Sequence, residues 1–327
     1  MKKNLRNVLV LGLGLITTIA SAQWSASSTS WIDNNDTDAR TVDTRSTVTL
    51  DMSGVHISQD FSWDETGATT TTTYEAYYST DVMGYGTLTM GRQDLSFGSG
   101  ALVGSNNWGN SRHTTDGMNF GMNVAGFDID AGTLDGITTG HTYVNLSGSF
   151  SGVSVNLLML DNNDVKSNGY DFGYALMDGD LSLSYSMNDD GLGSEMTEMG
   201  ASYALFDNAS INLSMRSYEG DVDGQAFSAP MSAWNLIGSG DLGHGVNGDE
   251  VLTYGLNYNL GSIGLSYNMH TTSNDSATDD VEATDMRVSY QLNDNCTLGY
   301  RMLSTGVDAD ADGNEDEYNT VTISIGL

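Results

Sequence analysis

The sequence contains little cysteine, little proline and few basic residues. Its 327 residues include one cysteine, Cys296, and one proline, Pro230. A single cysteine cannot form an internal disulfide framework, so the class of disulfide-stapled exported domains is excluded. Eleven Lys and Arg stand against 43 Asp and Glu, which gives a formal net charge of −32. This balance argues against nucleic acid as a partner, because its phosphates would repel the chain.

The N-terminus has the pattern of an export signal. Residues 2–6 carry three basic side chains, residues 8–20 are mostly apolar, and Ala20-Ser21-Ala22 is a small-x-small cleavage motif. A transmembrane anchor is the alternative, but this apolar run is shorter than the roughly 20 residues that a helix needs to cross a bilayer. We therefore expect a signal peptide at residues 1–22 and a mature chain of residues 23–327.

No long apolar run follows the signal, but apolar residues recur at every second position, with Ser, Thr, Asn and Gly between them. A period of two is typical of β-strands, whereas a helix requires a period near 3.6. A strand with one apolar and one polar face suits a barrel with lipid outside and water inside, although a soluble sandwich shows the same alternation. Clear examples are Leu252, Tyr254, Leu256, Tyr258 and Leu260; Ile263, Leu265, Tyr267 and Met269; and Val321, Ile323, Ile325 and Leu327.

The connections between these segments favour the barrel. Short turns such as Ser53-Gly54 and Asp294-Asn295 alternate with longer polar segments such as residues 97–115 and 220–249. One rim of short turns opposite one rim of long loops is typical of transmembrane barrels. Eight turns and nine loops predict eighteen strands, the first over residues 23–32; sixteen strands with an irregular N-terminus is the alternative.

The predicted fold is therefore all-β: a transmembrane, antiparallel, up-and-down β-barrel with short periplasmic turns and long extracellular loops. Strands of about ten residues suit an oblique crossing of a membrane. Closure also removes the sheet edges that lipid would leave without hydrogen bonds. The export signal and the barrel together predict the outer membrane of a Gram-negative-type bacterium as the location.

Residues 85–120 carry a set of motifs in a characteristic order. A strand enters Gly91-Arg92-Gln93, a Gly-rich loop contains Leu102-Val103-Gly104 and Trp108, and Arg112 precedes Asp116-Gly117. This stretch, about a tenth of the chain, resembles the alginate-export family of outer-membrane porins. The resemblance implies an eighteen-stranded channel for oligosaccharides or other small hydrophilic molecules. It also implies that the strand and loop near the pore include Arg92, Gln93, Trp108, Arg112 and Asp116.

The chain departs from that family in its charge. A channel for a polyuronate is expected to have an arginine-rich lumen, but only eight basic residues follow residue 22. This departure argues against alginate as the substrate more strongly than it argues against the resemblance to the family. In diffusion porins, a long loop such as residues 97–115 commonly folds inward and narrows the channel, but it can also be an ordinary surface loop.

The alternation also predicts which charged residues face the lumen. Acids outnumber bases among them, so we expect a hydrophilic pore that favours cations or neutral solutes. The alternative is that these charges pair across the lumen and brace the wall. Arg92 lies at the same face of its strand as Leu88 and Met90 and would therefore point to lipid. A β-bulge near Gly91, or a position at the strand end above the bilayer, would change this. The predicted lumen residues are Arg45, Glu75, Asp81, Asp128, Asp130, Asp171, Glu198, Arg216, Asp285, Arg287 and Arg301.

One acidic loop resembles a calcium-binding loop. Residues 308–316 match the first nine positions of an EF-hand-like loop. Side-chain oxygens stand at every second position and Gly313 at the sixth, a pattern that lets the chain wrap a hard cation. The twelfth position is Asn319 rather than Glu, and a solvated acidic loop is the alternative reading. No other cofactor is expected. The candidate calcium ligands are Asp308, Asp310, Asp312, Asn314 and Asp316.

The sequence contains no catalytic motif. The five histidines show no HExxH spacing, and there is no GxSxG elbow or phosphate-binding loop. We therefore expect no enzyme but a porin for passive diffusion of small hydrophilic solutes, with those solutes and outer-membrane lipid as partners. The oligomeric state is left open. The alternatives are a structural or adhesive barrel with a plugged lumen, for which residues 220–249 could serve as the plug, and a barrel hydrolase.

Overall fold

A computed structural model describes residues 23–33, 41–64, 66–104, 112, 114–134, 141–162, 165–220, 247–277, 279–306 and 317–326. The predicted signal peptide at residues 1–22 lies outside this range. Eighteen strands lie within the described residues. In chain order they are β1 (Gln23–Asp33), β2 (Thr41–Met52), β3 (Val55–Trp63), β4 (Thr69–Asp81), β5 (Thr87–Gln93), β6 (Thr115–Val124), β7 (Phe127–Leu134), β8 (His141–Phe150), β9 (Val153–Asn162), β10 (Val165–Leu176), β11 (Leu181–Asp189), β12 (Ser194–Phe206), β13 (Ala209–Gly220), β14 (Asp249–Leu260), β15 (Ile263–Asn274), β16 (Val281–Asn293), β17 (Cys296–Ser304) and β18 (Glu317–Gly326).

The strands form one closed antiparallel barrel. Each strand pairs with its neighbours in sequence, and β1 pairs with both β2 and β18, which closes the sheet. The predicted count of eighteen strands is confirmed, and so is the assignment of the first strand to the segment that begins at Gln23. Closure leaves no strand edge unpaired, which is why a barrel can stand without a covering layer. Within the described residues, no helix has the length and apolarity needed to cross a membrane.

The connections lie on two rims. One rim, here called the short-turn rim, includes two-residue turns in which both residues have positive φ, as at Ser53 (43°) and Gly54 (88°). This backbone matches the twist of the flanking strands. The opposite rim, here called the long-loop rim, carries the longer connections, but residues 163–164 alone join β9 to β10. At this connection the two strands stay paired up to Val165 and Asn162.

The two faces of the barrel differ as the alternation predicts. Large apolar side chains of β8 to β18 are exposed on the outer face, among them Phe172, Leu213, Met215, Tyr254 and Tyr267. Their neighbours on the inner face are mostly Ser, Thr, Asn and charged residues. A single-layer barrel with an apolar exterior has no soluble core to bury these side chains, so the exterior suits a hydrocarbon environment.

A β-bulge in β4 changes the inner face. Glu75 pairs with Ser58 and Thr73 pairs with Gln59, so Tyr74 is an extra residue without a partner in β3. A bulge of this kind re-aims the side chains beside it. Here Tyr74 becomes buried, and its hydroxyl donates a hydrogen bond to Asp94 at the start of the loop that follows β5.

Candidate functional site

The long loop between β5 and β6 folds into the barrel. Its described part, residues 94–104, begins beside β4, where the backbone N–H of Asp94 donates to Glu75 Oε1 at 3.1 Å. The segment turns on itself through hydrogen bonds between Phe97 and Val103 and between Gly100 and Phe97. The sequence left open whether this loop is inward or superficial; the contacts of its side chains with inner-face residues place it inside.

Apolar side chains of the inner face hold the loop. On one side, Phe97 stacks at a tilt on Tyr143, with ring centroids 4.8 Å apart. Loop residues Leu95, Phe97, Leu102 and Val103 pack against Leu134, Tyr143 and Leu158. Across the lumen, loop residue Ala101 is buried with Met196, Tyr218, Val251 and Ala283, which belong to β12, β13, β14 and β16. The loop therefore extends from β5 to the opposite wall.

The loop also approaches the wall closely at Gly98. This glycine has a φ of 55°, a conformation that side chains disfavour. A Cβ added there would overlap Asp171 Oδ2 and lie 2.6 Å from Asn156 Nδ2. Ser99 next to it accepts a hydrogen bond from Asn188 at 3.3 Å. Only glycine fits this position without moving the loop away from β9 and β10.

The returning part of the loop is held by Arg112. Its guanidinium lies over the ring of Tyr74 at 3.9 Å from the centroid. It donates to Thr47 Oγ1 at 2.6 Å and lies 3.7 Å from Asp60 Oδ2. Because Tyr74 also binds Asp94, the bulge in β4 holds both ends of the loop.

Four arginines share one wall of the lumen. Arg45 on β2, Arg287 on β16 and Arg301 on β17 line a cavity of about 880 Å³ together with Arg112 from the loop. The remaining lining residues are largely Ser, Thr, Asn and Gly, and the described lining residues include no carboxylate. Since β16, β17, β18, β1 and β2 are consecutive around the barrel, these positive charges lie in one sector of its wall, which is called the arginine wall below.

Asp285 lies behind this wall. It is fully buried and its Oδ1 accepts from Arg301 Nε at 2.8 Å, while its Oδ2 accepts from Arg287 Nη2 at 2.6 Å. Arg287 and Arg301 face each other directly in the register of β16 and β17. Two adjacent guanidinium groups repel, so the carboxylate that both of them bind stabilises their close approach.

A second cavity, of about 560 Å³, lies beside Gly98 and Ser99 of the loop. Its charged lining residues are Asp171, Glu198 and Arg216. Arg216 donates to Glu198 Oε2 through both Nε (3.0 Å) and Nη2 (2.8 Å), so this pair is neutral as a whole. Asp171 accepts hydrogen bonds from Ser186 and Asn156. This side of the lumen is more acidic than the arginine wall.

The other predicted lumen acids are engaged by neighbours. Glu75 lies 3.2 Å from His56 Nε2, and Asp130 accepts from Asn119 and from Tyr143. Asp128 accepts from Asn123 beside the turn between β6 and β7. Asp81 accepts from the backbone N–H of Gly84 at 2.9 Å and thus caps a turn of the short-turn rim.

The motif residues of the loop region divide between the two faces of the barrel. Gln93 is buried on the inner face and Arg112 lies in the lumen. Arg92 and Asp116 instead pair directly across β5 and β6 and form two hydrogen bonds of 2.9 and 2.8 Å. Arg92 lies two residues after the outward-facing Met90, and Asp116 is its partner on β6, so both side chains point outward and do not line the pore. Their direction is set by the alternation along the strand, which the sequence motif does not report. Trp108 lies outside the described residues.

The candidate calcium ligands Asp308, Asp310, Asp312, Asn314 and Asp316 also lie outside the described residues. Within the part of the chain that the structure describes, no group of three His, Cys, Asp or Glu side chains is placed to hold a metal ion. The calcium loop therefore stays a sequence prediction.

The closed eighteen-stranded barrel is the fold of known outer-membrane porins. OprD from Pseudomonas aeruginosa is similar with a TM-score of 0.68 and 13% identity, over 94% of this chain and 93% of that chain. A BenF-like porin from Pseudomonas fluorescens has a TM-score of 0.69 and 10% identity, over 94% and 98%. OccK2 from Pseudomonas aeruginosa, in complex with glucuronate, has a TM-score of 0.66 and 12% identity over 94% and 98%.

No family model matches the sequence, and comparison with curated proteins gave no match. The similar structures support an outer-membrane porin fold and do not support the specific resemblance to the alginate-export family. Two of the residues that carried that resemblance, Arg92 and Asp116, form an ion pair on the outer face. An exposed ion pair of this kind contributes little to stability and has no contact with the lumen.

Proposed function

We propose that the chain forms an outer-membrane channel for passive diffusion of small hydrophilic solutes, and that its arginine wall favours solutes that carry a carboxylate. The arrangement of Arg45, Arg112, Arg287 and Arg301 around one cavity is the observation that supports this proposal most. A guanidinium presents a planar fork of donors that matches a carboxylate, and it stays charged at any physiological pH. Arg287, whose side chain is 45% exposed, is the arginine that a solute anion can contact most directly, and the other three strengthen the positive field around it.

The distribution of charge supports the same proposal. After residue 22 the chain has eight basic residues, and half of them line this one cavity. Low-dielectric walls strengthen the field of such a cluster, so a local excess of positive charge outweighs more distant acids. OccK2, which shares the fold, has been crystallised with glucuronate, a sugar acid. A sugar acid would combine a carboxylate for the arginines with hydroxyls for the Ser and Thr side chains.

The sequence-based expectation makes the opposite prediction. It holds that acids outnumber bases along the inner face, so that the pore favours cations or neutral solutes such as oligosaccharides. The acids of the second cavity, Asp171 and Glu198, are the part of the lumen that suits this prediction best. A plugged structural barrel and a barrel hydrolase remain further alternatives: the first predicts no current and the second predicts hydrolysis of its substrate.

Three sugars of similar size and different charge test the proposal. Proteoliposomes that contain the full chain would be assayed for uptake of glucuronate, glucose and glucosamine under matched gradients. We expect the fastest uptake for glucuronate and the slowest for glucosamine. Fastest uptake of glucosamine would support the acidic lumen instead, and no uptake of any of the three would support a plugged barrel. Replacement of Arg287 and Arg301 by Ala should reduce uptake of glucuronate and leave that of glucose unchanged.

A further inference from the structure

His56 on β3 lies between two carboxylates on the inner face, beside the short-turn rim. Its Nδ1 is 2.6 Å from Oδ1 of Asp51 on β2, and its Nε2 is 3.2 Å from Oε2 of Glu75 on β4. Its ring also stacks on that of Tyr77, with ring centroids 4.6 Å apart and an angle of 8° between the planes. Neither ring nitrogen can therefore turn away from its carboxylate without loss of the stack.

The two contacts of His56 depend on its protonation state. An ionised carboxylate only accepts hydrogen bonds, so both contacts are hydrogen bonds only when both ring nitrogens carry a proton. Imidazolium has two donors, whereas neutral imidazole has one donor and one acceptor. Because the contact with Asp51 is the shorter one, we expect the proton to be lost from Nε2. The lone pair of Nε2 would then face the carboxylate of Glu75.

Glu75 connects His56 with the loop between β5 and β6. While its Oε2 faces His56, its Oε1 accepts a hydrogen bond at 3.1 Å from the backbone N–H of Asp94, the first residue of the loop. Asp94 in turn accepts from Tyr74, the bulge residue whose ring lies under Arg112. Contacts therefore run from the short-turn rim to both ends of the inward-folded loop.

The short-turn rim gives solvent access to His56. A cavity of about 300 Å³ there is lined by Asp51, His56 and Tyr77, with Gln23 of β1 and Ser79 of β4. The Asp51 side chain is 55% exposed, whereas those of His56 and Glu75 are 14% and 17% exposed. Protons can thus reach the ring through this cavity while its neighbours hold the ring in place.

The titratable side chains that face His56 come from three strands of the described chain. Asp51 on β2 and Glu75 and Tyr77 on β4 contact it directly. On β3 itself, Asp60 lies two inner-face positions away, beside Arg112. Removal of the predicted signal peptide would add the amino group of Gln23, which is the partner of Asp51 in the register of β1 and β2.

We propose that His56 is a positioning residue that couples protonation at the short-turn rim to the inward docking of the loop. Histidine is the side chain that changes its charge between about pH 5 and 8. Protonated His56 holds Glu75 where it accepts from Asp94, whereas neutral His56 repels Glu75 and releases the start of the loop. Proton binding and docking therefore favour each other, so docking is strongest at low pH and weakens as the pH rises. The proposal rests on the proposed function, because it regulates the width of that channel.

Alkylation of a buried cysteine measures docking without reference to transport. Ala101 is 1% exposed in the docked loop, so Ala101→Cys should react with iodoacetamide only when the loop leaves the wall. The parent chain carries Ala101→Cys and Cys296→Ser. Each rate is divided by that of the same chain unfolded in urea at the same pH, which removes the pH dependence of the thiol. We expect the divided rate to rise roughly tenfold between about pH 6 and about pH 9, as loss of one hydrogen bond to a charged group allows.

Three substitutions in the parent chain distinguish a pH switch from a structural contact. His56→Gln stays neutral and should react at the high-pH rate at both pH values. Glu75→Gln keeps an acceptor for Asp94 and offers an amide donor to neutral His56, so it should keep the loop docked at about pH 9. His141→Gln, at the start of β8 on the long-loop rim, is the control and should keep the pH response of the parent chain.

Two results would overturn the proposal. One is a parent chain whose divided rate is equal at both pH values or higher at the lower one. The other is a folded Glu75→Gln chain that reacts as fast as the parent chain at about pH 9. Folding is judged by the heat-dependent shift of the barrel in electrophoresis. If the variants do not fold, the parent chain decides: a rise in its divided rate with pH supports the coupling, and no rise contradicts it.

These outcomes are separate from the proposed function. Single-channel current should rise over the same pH range, and His56→Gln should remove this dependence. Alkylation that depends on pH in a chain that takes up no solute would contradict the channel and leave the coupling intact. Uptake of glucuronate by a chain whose alkylation does not depend on pH would contradict the coupling alone.

Discussion

Arg287 and Arg301 lie directly opposite each other on β16 and β17, and both donate to the carboxylate of Asp285. Like charges at such a pair of positions destabilise a sheet unless a counter-charge lies between them. Asp285 supplies that counter-charge from a fully buried position, while the Arg287 side chain is 45% exposed. All three side chains lie on the inner face of the barrel, where Arg287 is the exposed member of the cluster and Arg301, at 14%, and Asp285 lie beneath the surface.

Loss of this acid should destabilise the barrel. Asp285→Asn leaves two arginines with one neutral partner, which we expect to cost about 2–3 kcal/mol, less than for a dry ion pair because the arginines reach the aqueous lumen. Urea unfolding of the chain in lipid vesicles, followed by tryptophan fluorescence, measures the change. Asp280→Asn is the control, since Asp280 is exposed in the connection between β15 and β16, and it should change stability by less than about 0.5 kcal/mol. Equal effects of the two substitutions would argue against the role of Asp285.

Arg112 should hold the loop in its inward position. Arg112→Gln removes the contacts with Tyr74 and Asp60 and should cost the docked state on the order of 2 kcal/mol, enough to raise the undocked fraction roughly thirtyfold. Single-channel recording should then show larger and noisier currents. Arg92→Gln is the matched control, because Arg92 is also ion-paired but on the outer face, and its current should resemble that of the wild type. Unchanged currents for both variants would contradict the anchoring role.

Gly98 should be needed for the close approach of the loop to β10. Gly98→Ala adds a Cβ that overlaps Asp171 and forces a positive φ on alanine, so we expect a displaced loop and a loss of more than about 1 kcal/mol of stability. Gly121→Ala on β6 is the control, since no atom lies within 4 Å of its added Cβ. The conductance and the unfolding midpoint should change for Gly98→Ala and not for Gly121→Ala. A change for Gly121→Ala without one for Gly98→Ala would show that the loop is held elsewhere.

Much of the barrel could be predicted from the sequence because strand alternation is a local property. The apolar residues of β14 and β15, for example, follow a strict period of two, and turns such as Ser53-Gly54 have residues that accept positive φ. The bulge at Tyr74 could not be predicted, because an extra residue in β4 becomes visible only against its partner strand. The burial of Tyr74 could not be predicted either, because it results from this bulge.

The sequence also contains a signal for the inward folding of the loop between β5 and β6. Leu158, with Leu157 and Met159 on either side, is an apolar residue at an inward position, and Tyr143 and Met196 are others. Inward apolar residues in a water-filled barrel need a covering segment, and the apolar residues of 95–103 supply it. The neighbourhood of Arg45 and Arg301 follows from the predicted closure of the barrel at β1 and β18. The position of Arg112 beside them could not be predicted, because it depends on how the loop folds against Tyr74 and Asp60.

The ion selectivity of single channels tests the central claim most directly. In a planar bilayer with a tenfold KCl gradient, the zero-current potential reports whether chloride or potassium passes more easily. We expect a zero-current potential whose sign indicates preference for chloride. This potential should shift towards preference for potassium when Arg287 and Arg301 are both replaced by Ala, but not when Arg92 is replaced. A wild-type channel with clear preference for potassium would contradict the arginine wall as the selective element and restore the acidic-lumen prediction.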